Sequence, residues 1–182
     1  MENKKEIRRI VRQRINDISA ECRTSAAEAI FATIANHPRF IEAQCIALFV
    51  SMHDEVSTDI ALQAWRDMGK QIVVPRIEGD IMRFYDYDPE HMTTGAFGIT
   101  EPTSTVEILP DAIDLMIVPA RAFTPEGVRM GRGGGFYDKY MSQPAFRAYK
   151  IGIAFDCQIF DSLPHDTHDI AVDCVVSETQ QL

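Results

Sequence analysis

Two uninterrupted apolar runs, Cys45-Ile46-Ala47-Leu48-Phe49-Val50 and Leu115-Met116-Ile117-Val118-Pro119, constrain this chain more than any other feature. Neither run leaves a polar face, so strands built from them must be buried on both sides. Sheets of that kind are covered by helices. Ile7, Ile10, Val11, Ile15 and Ile18 recur at helical spacing and predict an amphipathic helix from about 3 to 17. A second helix is expected from Ser19 as N-cap, through Ala27, Ile30 and Ile34, to Pro38. A third is expected over about 58–68, closed by Gly69. Further strands are predicted at 71–75, at 81–85 near an edge, at 150–155 and at 173–177. Residues 88–110, with Pro89, Gly95, Gly98, Pro102 and Pro110, read as a long connecting loop. Strands alternating with helices predict an α/β fold with a mostly parallel central sheet. The 182 residues show no internal repeat or linker, and one domain over 1–182 is expected.

A net charge of −9 argues against general nucleic-acid binding, which needs broad basic surfaces. Yet six of the eighteen basic residues fall in the first fourteen positions: Lys4, Lys5, Arg8, Arg9, Arg12 and Arg14. Arg129 and Arg132 form a second concentration. An acidic chain that gathers cations in two places suits one small polyanion. No run approaches the ~18–20 apolar residues of a membrane span. The charged start has no apolar segment behind it, so no secretory signal is expected. Cys22, Cys45, Cys157 and Cys174 show no CxxC spacing, which predicts reduced thiols in a cytoplasmic protein. A small-molecule partner, no membrane, no nucleic acid and a monomeric state complete that expectation.

In open α/β sheets ligands bind beyond the carboxyl ends of the strands. Three polar segments follow expected strands there: Ser51-Met52-His53-Asp54-Glu55, the glycine-rich run from 127, and Asp156 with the segment from Pro164 to Asp169. The central run is Gly127-Val128-Arg129-Met130-Gly131-Arg132-Gly133-Gly134-Gly135-Phe136-Tyr137-Asp138. Five glycines in nine residues expose backbone N–H groups and remove bulk, as a loop around phosphates requires. A helix starting near Gly134 or Gly135 would add a field favourable to anions, and the two arginines supply forked cationic donors. The run is neither a Walker A loop nor a dinucleotide fingerprint, since no Gly-Lys-Ser/Thr follows and Phe136 stands at the third glycine position counted from Gly131.

From Val118-Pro119 through Ala122-Phe123 to Asp138, the chain resembles the signature of the 5-formyltetrahydrofolate cyclo-ligase family. Lys4-Lys5-x-x-Arg8, Ser51-Met52-x-Asp54-Glu55-Val56-x-Thr58 and Pro164-x-x-x-x-Asp169-x-x-x-Asp173 resemble its other motifs, in the same order. The resemblance implies a three-layer fold of the NagB/RpiA/CoA-transferase-like kind and ATP- and magnesium-dependent closure of 5-formyltetrahydrofolate to 5,10-methenyltetrahydrofolate. It implies ATP contacts from Lys4, Lys5, Arg8, Arg129, Met130, Gly131, Arg132, Gly133, Gly134, Gly135, Phe136 and Tyr137. Val50, Glu55 and the stretch Arg132, Gly133, Gly134, Gly135, Phe136 would line the folate pocket. Asp138 and Asp169 would hold Mg2+, and Arg132 would stabilise the phosphorylated intermediate. Phe136 stands where the family commonly has tyrosine, and Gly134 where its eukaryotic members tend to have lysine, so neither a hydroxyl at 136 nor a charge at 134 is available.

Blander roles stay open for the same residues. Lys4 and Arg8 could be a solvated face, Glu55 a helix cap and Asp138 a first-turn carboxylate facing a helix dipole. His165 and His168, near Asp166 and Asp169, fall short of a closed zinc shell. Another ATP-dependent small-molecule kinase, or a non-catalytic nucleotide or phosphosugar sensor, would use the same loop.

Overall fold

The computed structural model describes residues 3–95 and 98–181. The chain opens with α1 (Lys4–Asn16), whose N-cap Asn3 accepts from the Glu6 N–H, and α2 (Ala20–Ala35), which Ser19 caps through the Cys22 N–H. Pro38 does not simply end helical structure. It sits in the first turn of a short α3 (Pro38–Glu42), a position where a missing N–H costs nothing.

Then β1 (Cys45–Ala47), α4 (Asp59–Asp67), β2 (Gln71–Glu78) and β3 (Ile81–Asp86) follow. The expected loop over 88–110 holds three short strands, β4 (Met92–Thr94), β5 (Thr100–Pro102) and β6 (Glu107–Ile108); residues 96 and 97 of that loop lie outside the described residues. Prolines and glycines hid them, since β4 and β5 pair only with each other and β6 is an edge. Next come β7 (Leu115–Pro119), the hairpin β8 (Ala122–Phe123) and β9 (Arg129–Met130), α5 (Phe136–Met141), β10 (Tyr149–Ile153) and β11 (Cys174–Val176).

The central sheet runs β11-β10-β7-β1-β2-β3-β6. Its first five strands are parallel, while β3 and β6 are antiparallel additions at one side. Side chains alternate between two cores, as strand geometry requires. Ile46, Leu48, Leu115, Ile117 and Ile151 face the helices α1, α2 and α4, with Ile7, Val11, Ile30, Ile34 and Trp65. Cys45, Ala47, Met116, Val118 and Val175 face the other way, onto Phe123, Tyr140 and Met141. Each fully buried Ile or Leu contributes ~1.5–3 kcal/mol of transfer free energy, so these two faces hold the three layers together. From β1 the chain winds one way to β2, and from β7 it winds the other way to β10 and β11. The order therefore reverses between β1 and β7, and a crevice opens beyond their carboxyl ends.

Candidate active site

The loops that meet at this crevice are those after β1 and β7. The segment after β1 is held by a reciprocal pair: Thr58 N–H donates to Ser51 Oγ at 3.1 Å and Ser51 N–H to Thr58 Oγ1 at 3.2 Å. The Thr58 hydroxyl also donates to the Phe49 carbonyl at 2.6 Å. Inside this clasp, Glu55 Oε2 accepts from the Met52 N–H at 2.9 Å, which leaves Oε1 facing the glycine-rich loop. The role that Glu55 takes is thus a turn clasp within 52–55, and Thr58 caps α4 without a side-chain bond.

Beyond β7 the chain forms the β8–β9 hairpin before the glycines begin. Arg129 and Met130 are therefore buried in a strand, and the open loop proper starts at Gly131. Arg129 turns its guanidinium inward, donating through Nε to the Ile170 carbonyl at 3.0 Å and through Nη2 to Asp138 Oδ1. Gly131, Arg132, Gly133, Gly134 and Gly135 then run over the mouth of the crevice. Gly133 (φ +109°) and Gly135 (φ +68°) adopt left-handed backbone that side chains resist, and Gly135 caps α5. Phe136 packs against the loop where a Cβ on Gly134 would meet its ring at 2.8 Å.

Arg132 reaches across to the first loop. Its Nη2 donates to Glu55 Oε1 at 3.0 Å and to Asp54 Oδ1, and its Nε donates to Glu55 Oε1 at 3.2 Å. Tyr137 stands nearby. Burial, with the Glu55 carboxylate beside it, raises its hydroxyl well above the usual tyrosine range, so it remains a neutral hydrogen-bond donor. A narrow crevice under these groups is lined by Phe49, Glu55, Val56, Pro119, Ala120, Ile153 and Gln158. An open groove of about 230 Å³ adjoins it, lined by Arg23, Thr24, Ser51, Met52, His53, Glu55, Ser57 and Asp59. Val50 is half-buried against the core beside both.

The N-terminal helix joins the site from 123 residues away, where Arg8 Nε donates to the Gly131 carbonyl at 2.9 Å. One turn earlier, Lys4 Nζ bonds Asp166 at 2.6 Å and Asp169 at 3.0 Å. These bonds raise the Lys4 amine above its ordinary value. Lys5 lies exposed on the same helix. Asp138 and Asp169 are drawn toward one another, since Asp138 Oδ1 accepts from the N–H of Ile170, the residue after Asp169.

Among the described residues the bonds to these two carboxylates fall on Oδ1 of Asp138 and Oδ2 of Asp169. Carboxylate oxygens are the donor type that suits magnesium. No cluster of three or more His, Cys, Asp or Glu forms among those residues; His165 and His168 instead contact the Leu163 carbonyl and the Thr167 hydroxyl.

Sequence reasoning assigned no role to three residues that the structure puts beneath the loop. Asp54 lies between two guanidinium groups, taking a bond from Arg121 Nη1 on Oδ2 at 2.5 Å and one from Arg132 on Oδ1. Gln158 donates to the carbonyls of Ala120 and Arg121. The available signal was an arginine set among apolar residues, Ala120-Arg121-Ala122-Phe123, directly after a buried strand.

Such a chain is a helix-covered, mostly parallel α/β protein with an arginine- and glycine-rich loop at its switch point. A profile of the 5-formyltetrahydrofolate cyclo-ligase family matches residues 1–178, and the chain belongs to that family. It is 29% identical to the Escherichia coli (strain K12) 5-formyltetrahydrofolate cyclo-ligase over 180 residues, covering 94% of this chain and 98% of that one. The solved structure of Aquifex aeolicus 5,10-methenyltetrahydrofolate synthetase is 31% identical, with a TM-score of 0.85 over 98% of this chain and 91% of that one. The Mycoplasma pneumoniae 5,10-methenyltetrahydrofolate synthetase, 23% identical with a TM-score of 0.79, shares the fold over 97% of this chain and 99% of that one. No described helix is long and apolar enough to cross a membrane.

Proposed function

We propose that this enzyme converts 5-formyltetrahydrofolate and ATP to 5,10-methenyltetrahydrofolate, ADP and phosphate, with magnesium. The observation that carries the reading is the meeting of all four family motifs at one mouth: Arg8 on Gly131, Lys4 on Asp169, and Arg132 on Glu55. The formyl oxygen is a poor leaving group. Its attack on the γ-phosphorus turns it into a phosphate ester and releases ADP. Attack of N10 on the resulting iminium carbon then closes the ring as phosphate leaves. No protein nucleophile is required.

The chain's own work is positioning and charge. Backbone N–H groups of 131–135, with Lys4, Lys5 and Arg8, hold the triphosphate, and Arg129 fixes Asp138. Arg132 places its fork against the transferring phosphoryl group, where charge develops. Val50, Glu55 and Phe136 line the folate side, and Tyr137 donates a hydrogen bond without ionising. Asp138 and Asp169 would hold magnesium, which supplies charge neutralisation to the phosphates when bound.

An assay with 5-formyltetrahydrofolate, ATP and magnesium tests this directly. Methenyl product, ADP and phosphate are expected in equal amounts, and none after chelation of magnesium. A stable phosphorylated product without ring closure would make the enzyme a kinase, and ATP binding without turnover would make it a sensor.

A further inference from the structure

Arg121 and Asp54 are the most deeply buried charged pair of the site, with side chains 3% and 5% exposed, while Arg132 is 37% exposed. The two buried members are rigidly mounted. The Arg121 N–H donates to the Met130 carbonyl at 2.7 Å within the β8–β9 hairpin. Its carbonyl accepts from Gln158 Nε2 at 3.0 Å, and Gln158 is fixed in turn by the Phe155 N–H at 2.9 Å. Asp54 sits in the loop clasped by Ser51 and Thr58. Arg132, by contrast, is carried on the glycine loop with Gly131 and Gly133 on either side.

The charges decide what this arrangement can do. Two guanidinium groups face Asp54 and Glu55, so the group is neutral as it stands. If Asp54 had Arg132 as its sole partner, turning Arg132 toward an anion would strand a buried carboxylate, which is strongly unfavourable. With Arg121 in place, Asp54 keeps a full counter-charge when Arg132 leaves. Among the described residues Arg121 lines neither the crevice nor the groove, and its side-chain ion pair is with Asp54.

We infer that Asp54 and Arg121 are a buried positioning pair for Arg132, Asp54 aiming the guanidinium and Arg121 holding Asp54 paired when Arg132 turns to phosphate. This rests on the proposed role of Arg132 at the transferring phosphoryl group. The fall of the Asp54 carboxyl to about 2 agrees with a group kept ionised throughout.

The test is a kinetic cycle. Asp54→Asn is expected to lower kcat ~10- to 100-fold while the KM for ATP stays within about threefold, because Asp54 acts only through Arg132. In an Arg132→Ala background the same substitution should cost nothing further. Arg121→Lys, which keeps the charge, should retain far more kcat than Arg121→Leu. An equal loss from Asp54→Asn in both backgrounds would overturn the inference, as would wild-type kcat in a folded Arg121→Leu protein.

Asp54→Asn leaves Arg121 buried without a partner and is prone to unfolding, so a second measurement uses the intact protein. In 15N-labelled wild type, adding magnesium ATP should move the Nε–H resonance of Arg132 and leave that of Arg121 in place. Displacement of both together would refute the pair. If the wild type fails to close 5-formyltetrahydrofolate, the proposed function falls, and these two resonances still decide the positioning pair.

Discussion

Arg8 and Gly131 are joined by a hydrogen bond of 2.9 Å from Arg8 Nε to the Gly131 carbonyl, although 123 residues separate them. The bond makes α1 a wall of the site as well as a packing element. Ile7, Val11 and Ile15 bury one side of the helix, and Lys4 and Arg8, a turn apart, present the other to the two loops that motif reading singled out.

Arg8→Ala and Lys4→Ala are therefore expected to raise the KM for ATP. A lost charge-assisted phosphate contact is worth ~1.5–3 kcal/mol, or about ten- to hundredfold in affinity. Thermal stability should change little, because exposed ion pairs such as Lys4 with Asp166 contribute at most ~1 kcal/mol. A double alanine variant with the parental KM for ATP at physiological salt would remove both residues from the site.

Arg132 and Gly133 are neighbours with different expected failures. Arg132→Ala removes a charge that acts in the transition state, and kcat should fall ~10²-fold or more. Gly133 holds φ +109°, and a Cβ there would lie 3.7 Å from Arg8 Nη2. That distance is ordinary contact, so Gly133→Val acts by straining the left-handed backbone of the loop, and its main effect should be on ATP binding. Isothermal titration of ATP against both variants separates the two outcomes, and normal turnover in both would reduce the loop to a turn.

The parallel core was legible because β1 and β7 lie in continuous apolar runs, a pattern that burial on both faces imposes, and because β2 carries Ile72-Val73-Val74. The glycine-rich loop stood out because two arginines and an adjacent aromatic-acid run are costly in a mere linker, whereas glycines alone often mark only a turn. What stayed hidden was pairing without local signal. The strands β8 and β9 are two residues each and owe their form to tertiary contacts, so Arg129 read as loop and is strand. Asp54 stands beside Glu55 in the same motif, but only the third dimension brings Arg121 to it from 67 residues away.

Gly127 offers a stability test outside the catalytic loop. Its φ is +86°, and an added Cβ would meet the Val172 carbonyl oxygen at 2.3 Å, which backbone cannot easily yield. Gly79 also has positive φ, +67°, but open space around it. Gly79→Ala should cost ~1 kcal/mol from the dihedral alone, and Gly127→Ala ~3 kcal/mol or more from dihedral and clash together. In thermal melts each kcal/mol moves Tm by ~2–4 °C for a chain of this size. Equal shifts for both would mean that Val172 gives way freely.

Asp54 gives a stability dependence on pH whose direction follows from its surroundings. Burial by itself would raise the carboxyl, but the bonds from Arg132 and Arg121 outweigh it and carry the value from 3.8 down to about 2. A depressed folded value means that the stabilisation is complete above the unfolded value and is lost as pH falls through the folded one, here from about 4 to about 2. The shift corresponds to about 2 kcal/mol. Asp169, Glu78 and Asp88 are also lowered and titrate in the same acid range, so the parental curve alone cannot isolate Asp54. The difference between parent and Asp54→Asn does, because those groups are common to both. Urea unfolding at pH 5, 4, 3 and 2 should show that difference shrinking by ~2 kcal/mol across the window. Arg132→Ala, which removes one of the two partners, should raise the folded value, so that the loss becomes smaller and is complete at a higher pH. A difference that stays constant from pH 5 to pH 2 would mean that the guanidinium groups do not hold Asp54 ionised.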